Sequence, residues 1–122
     1  MSAVEELKLI LNRLRTEQNI EICAVISRNG IPLAHELPDG VHIDAFSTLS
    51  ATILGASEVI YSGLGKTAPD RVMIEANGTN YIATGVGPKA LLVVMSSSDT
   101  PDLAAHITKA AQEIKEVLAH GK

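Results

Sequence analysis

Gly63-Leu64-Gly65-Lys66-Thr67 ends in the Gly-Lys-Thr that closes a phosphate-binding loop. Such a loop is G-x-x-x-x-G-K-S/T set between a strand and a helix, so that backbone N–H groups and the helix N-terminus hold the phosphates. Here Ile60 stands where the first glycine belongs. The order of elements is also reversed, with helical periodicity before the glycines and a strand pattern, "RVMIEA", after them. The glycines then lie at the negative end of a helix dipole, which repels phosphate. They read as a helix C-cap, with Lys66 near the last carbonyls and Pro69 just beyond.

The other reactive side chains form no catalytic pattern. His35 and His42 flank a loop with Glu36, Asp39 and Asp44 nearby, but no H-x-x-x-H spacing occurs, so the group reads as a solvated polar loop. "SSSDT", residues 96–100, followed by His106 reads as a helix cap with an exposed histidine rather than a triad, and no G-x-S-x-G elbow is present. Gly85-Val86-Gly87 lacks the third glycine of a dinucleotide fingerprint. Asn77-Gly78-Thr79 matches a glycosylation sequon but reads as a hairpin turn. The expectation is no catalytic residue, no metal, no cofactor and no enzymatic activity.

The 122 residues make one domain, 1–122, long enough to bury a core. A hydrophobic share of 46% with 20% charged residues is globular composition. A net charge of −4 without basic runs, and aromatics limited to Phe46, Tyr61 and Tyr81, argue against nucleic acid. The one cysteine, Cys23, sits in an apolar run and reads as a small core residue in a reducing compartment. No apolar stretch approaches the ~18 residues of a membrane span, and the early acids of "MSAVEELK" do not read as a signal peptide. A cytoplasmic location without membrane insertion is expected.

The elements follow from periodicity. Residues 2–18 are an amphipathic helix with Ser2 as cap and Glu5 at the capping-box position. "IEICAVIS" and "IPLAHEL" are strands joined by the turn "RNG", and Pro32 assigns the second of them to a sheet edge. A helix runs from about Ile43 to Leu64. "DRVMIEA" and "TNYIATGV" are strands joined by Asn77-Gly78, and "ALLVVMSS" is apolar on both faces, as a central strand is. A last helix runs from about Pro101 to Ala119. The order is α-β-β-α-β-β-β-α.

The second helix is unusual, with Asp44 and Glu58 its only charges. Spacing residues by about 100° puts Ala45, Phe46, Leu49, Ile53, Ala56, Ile60 and Leu64 on a stripe expected to face the sheet. Beside it runs a row of mostly small residues, Thr48, Ala51, Thr52, Gly55, Val59 and Ser62. A third stripe holds Ser47, Ser50, Leu54, Ser57, Glu58 and Tyr61. Gly55 in mid-helix costs about 1 kcal/mol relative to alanine, which close approach of another backbone would offset. No loop is long enough to cover this helix, so its charge-poor surface points to an intermolecular contact.

The element order, the hairpin "AVISRNGIPLAH", the sparsely charged middle helix and "VMIEANGTNYIATGVGPKALLVVM" together resemble the roadblock domain family. This is the dynein-light-chain roadblock type, which includes bacterial and archaeal regulators of Ras-like GTPases. The resemblance spans nearly the whole chain. It implies an α+β fold, a three-layer α/β/α profilin-like domain with a five-stranded antiparallel sheet in the order 2-1-5-4-3. It also implies dimerisation through the second helix and third strand, giving one continuous sheet. Relatives serve as platforms for small GTPases or as subunits of larger assemblies.

On this chain the expected dimer interface is Thr48, Ala51, Thr52, Gly55, Val59 and Ser62 with Arg71, Val72, Met73, Ile74 and Glu75. The expected partner-binding stripe is Ser50, Leu54, Ser57, Glu58 and Tyr61. The function implied is a homodimeric module that binds a small Ras-like GTPase, as scaffold or as activating co-regulator. Arg28, the only loop-tip arginine, is where an arginine finger would have to come from, although a turn arginine is ordinarily just solvated. Two alternatives stand beside it. One is a structural subunit paired with another roadblock protein. The other is a small-ligand sensor, which needs a polar-lined pocket that tight turns and scarce aromatics do not suggest.

Overall fold

The computed structural model describes residues 1–97 and 102–120. In chain order the elements are α1 (Ala3–Glu17), β1 (Ile20–Ser27), β2 (Pro32–Glu36), α2 (Ile43–Gly63), β3 (Arg71–Ala76), β4 (Thr79–Val86), β5 (Ala90–Ser97) and α3 (Leu103–His120). The strands form one sheet ordered β2-β1-β5-β4-β3, antiparallel throughout. This is the expected topology. Pro32, which has no N–H to donate, opens the edge strand β2, and the doubly apolar β5 lies in the centre. The start of the last helix, expected at Pro101 after "SSSDT", falls partly outside the described residues.

Strand alternation feeds two cores. Cys23, Val25, Ile82, Leu92 and Val94 face α1 and α3 with Leu7, Leu11, Ile107 and Ile114. Ala24, Ile26, Tyr81, Ala83, Leu91 and Val93 face α2 with Leu54. Local chemistry sets the boundaries. The Ser2 hydroxyl accepts from the Glu5 N–H at 3.1 Å while the Ser2 N–H donates to Glu5 Oε1 at 3.0 Å, a complete capping box. The Ser2 N–H, and then its hydroxyl, hold the exposed Glu5 carboxyl below its usual pKa. The loop Arg28-Asn29-Gly30 is closed by Gly30 N–H to Ser27 C=O at 2.9 Å, with Gly30 left-handed at φ +86°. It is therefore a three-residue hairpin loop.

Gly63 and Gly65 form a helix C-cap at the end of α2. Gly65 is left-handed at φ +69°. Its N–H donates to Ser62 C=O at 3.0 Å, and the Lys66 N–H donates to Tyr61 C=O at 2.9 Å. These are the two bonds of a Schellman motif, so the loop's amides face the helix's own carbonyls and not a phosphate.

Candidate interaction surface

Helix α2 lies on the sheet by an unexpected face. Ser47, Ser50 and Leu54 are buried, while Ala45, Leu49, Ala56, Ile60 and Leu64 of the stripe expected to face the sheet are exposed. Phe46 and Ile53 of that stripe are only partly buried, at the margin of the core. The reason is steric. Small serines let the helix backbone settle close to the sheet, and its N-terminal half also meets the β1–β2 loop, where a Cβ on Gly30 would stand 2.9 Å from Thr48 Cα. A stripe of leucine and isoleucine would hold the helix further out. With only two charges, α2 also lacks the polar contrast that normally marks the outer face.

This overturns part of the expected partner-binding stripe. Ser50 and Leu54 are covered by their own protomer. Ser57 and Glu58 are half-buried, and only Tyr61 is open to a partner. Glu58 is engaged as well, since its Oε2 accepts from Arg28 Nη1 at 2.8 Å. Arg28 Nη2 donates to Gly87 C=O at 3.1 Å. Arg28 is thus a strut between α2 and the sheet end and not a free arginine at a loop tip.

What α2 and its C-cap residue Leu64 turn outward is apolar: Leu49, Val59, Ile60 and Leu64 are 62%, 72%, 60% and 66% exposed. Of the small-residue row, Thr48, Thr52, Val59 and Ser62 are exposed and Ala51 and Gly55 are half-buried. By length and composition alone this 21-residue helix could cross a membrane, in contrast to the expectation that no apolar stretch is long enough. In the fold it is one layer of the domain, seated on the sheet through Leu54. The spacing of Ser47, Ser50, Leu54 and Ser57 was the signal for the seated face, because those positions recur on one side of a helix.

Strand β3 is the sheet's other edge. Met73 and Ile74 are 55% and 42% exposed, and Arg71 and Val72 are half-buried. Arg71 Nη2 donates to Thr108 Oγ1 of α3 at 3.1 Å. Cys23 is fully buried, and burial, foremost, then Glu36 push its thiol up to about 12. Burial likewise raises the Tyr81 hydroxyl, against a smaller lowering from Ser50. Among the described residues, no three His, Cys, Asp or Glu side chains gather as a metal site needs.

Residues 6–96, from α1 through β5, match the Roadblock/LC7 domain. The chain belongs to the Roadblock/LC7 family. Among solved structures it is similar to an MglB described in a tetrameric arrangement, at 21% identity over 96% of this chain and 90% of that one, with TM-score 0.87. It is also similar to Myxococcus xanthus MglB, at 18% identity over 95% and 90% with TM-score 0.89. Profilin IA of Acanthamoeba castellanii shares the layered fold at 15% identity over 89% and 96%, with TM-score 0.60. Among curated proteins none matches the chain by sequence.

Proposed function

We propose that this roadblock protein is a cytoplasmic homodimeric module that binds a small Ras-like GTPase and regulates it. The observation that carries this reading is the outward apolar face of α2 next to the unpaired edge of β3. Uncovered apolar surface of this kind marks an interaction site, and an open strand edge needs a partner. A second copy would cover the β3 edge and much of the row from Thr48 to Ser62, along with Arg71, Val72, Met73, Ile74 and Glu75. The tetrameric arrangement described for one MglB supports self-association in this fold. The C-terminal part of α2, with Tyr61 and Leu64, would then offer the GTPase apolar anchors free of competing charge.

Regulation would act on the GTPase's own switch residues, because Arg28 is held by Glu58 and Gly87 and has no free reach as a finger. The test uses a Ras-like GTPase recovered with the chain from its native host and loaded in turn with GDP and a non-hydrolysable GTP analogue. The dimer should bind one nucleotide form in preference, and Tyr61→Asp with Leu64→Asp should abolish that binding while the protein stays folded. Binding unaffected by the pair of substitutions, or recovery of only another roadblock subunit, would refute the reading in favour of a structural subunit.

A further inference from the structure

At one end of the sheet a cleft of about 640 Å³ opens between the start of β3, the end of β4 and α3. Its size is that of small-molecule sites. Three cationic side chains from three separate elements line it: Arg28 from the β1–β2 loop, Arg71 from β3 and Lys115 from α3. The chain as a whole is acidic, with ten Lys and Arg against fourteen Asp and Glu, so three of its ten cations in one cleft is a local reversal of charge. Two acids also line it. Glu58 is already paired with Arg28, which leaves Asp70 as the other acid of the lining.

The arrangement is braced. Along one wall Arg71 is held by Thr108 at 3.1 Å, and two turns further along α3 the Lys115 stem passes 3.9 Å from the Cβ position of Gly87. Opposite, the Arg28 guanidinium lies against β4 where Gly85 has no side chain, and a Cβ there would stand 2.8 Å from Arg28 Nη2. Thr84 and Gln112 add hydrogen-bonding groups, and Val86 and Ala111 add apolar surface. Polar groups converging from separate elements into one cleft are a feature of a binding site.

We infer that this cleft binds a small metabolite through an anionic head group, phosphate or carboxylate. The inference does not require a GTPase partner, although Arg71 also lies on the β3 edge that a second copy would cover; Arg28 and Lys115 lie outside both that edge and the outward face of α2. It supplies the polar-lined pocket that ligand sensing requires and that the sequence did not suggest.

The test titrates the full chain, labelled with ¹⁵N, with pyrophosphate, with citrate, and with sodium chloride at matched ionic strength, following backbone amides. Saturable shifts centred on Gly85, Gly87, Thr108 and Lys115, from either polyanion but not from chloride, are expected. The anion that saturates at lower concentration names the head group. Lys115→Gln, at an exposed helix position, should weaken binding about tenfold through loss of one charge-assisted contact. Gly85→Ala should weaken it by pushing the Arg28 guanidinium off its Gly87 contact, with the remaining spectrum reporting an intact fold. Shifts that chloride reproduces, that scatter over all surface cations, or that persist unchanged in Lys115→Gln would overturn the inference.

Discussion

Replacing Arg71 with glutamate is expected to weaken self-association, by an amount that follows from how β3 would meet a second copy. Gly85 N–H donates to Asp70 C=O at 3.0 Å, so Asp70, Val72, Ile74 and Ala76 direct their backbone groups toward β4. Arg71, Met73 and Glu75 then direct theirs to the free edge. A two-fold axis passing between residues would oppose an outward-pointing residue to an inward-pointing one, and no ladder would form. The axis must pass through a residue. Centred on Met73, it sets Arg71 against the Glu75 position of the other copy, twice, and Val72 against the Ile74 position. Centred on Val72 or Ile74, it loses both charge pairs. Each opposed pair contributes about 0.2–1 kcal/mol, and reversing one charge replaces attraction by repulsion at two places, for a total near 1–4 kcal/mol. That corresponds to roughly 5- to 1,000-fold in the dimer dissociation constant. The lower half of the range is expected, because these positions are solvent-accessible and Arg71 also serves Thr108. Sedimentation equilibrium over a concentration series measures the constant. Glu75→Arg alone should weaken the dimer similarly, and Arg71→Glu with Glu75→Arg together should recover most of the loss. A double variant as weak as the sum of the two single changes would refute this register.

The seating of α2 gives a second prediction. Leu54→Ala should cost about 2–5 kcal/mol in urea unfolding, whereas Ile60→Ala should change the protomer's own stability by no more than about 0.5 kcal/mol. Equal losses would mean the two faces are assigned wrongly. Gly30→Ala should destabilise by about 1–3 kcal/mol, because it combines a left-handed backbone with a collision against the Thr48 backbone, and a loss under about 0.5 kcal/mol would remove the close approach as an explanation. Cys23 should resist a disulfide reagent at pH 8 in the folded protein and react on unfolding. With its thiol raised to about 12, almost no thiolate exists at pH 8, and rapid labelling of native protein would contradict its burial.

The topology was legible because backbone constraints are local. Pro32 cannot donate within a ladder, Gly65 and Gly78 mark left-handed turns, and β5 carries apolar residues on both faces, so edge, turns and centre could each be read from a few neighbours. The seating of α2 was not legible, because amphipathic reasoning ranks faces by polarity. Here close approach decided the matter, and serine at positions 47, 50 and 57 counts as polar on any such scale while being small enough to pack. Any occupant of the apolar side is something the single chain can signal only as an anomaly of its surface. The cleft was hidden for another reason. Arg28, Arg71 and Lys115 lie on three distant segments, and only the sheet order, which brings the β1–β2 loop, the β4–β5 turn and the start of β3 to one end, assembles them.

The outward face of α2 also has a bearing on how much of this protein a cell could keep. A protomer made in excess of its partners would display, on one long helix, the features by which holdase chaperones and proteases recognise an unfinished subunit. Fully folded copies without partners would then be removed as though misfolded. Abundance would be capped by the supply of surfaces able to cover that helix.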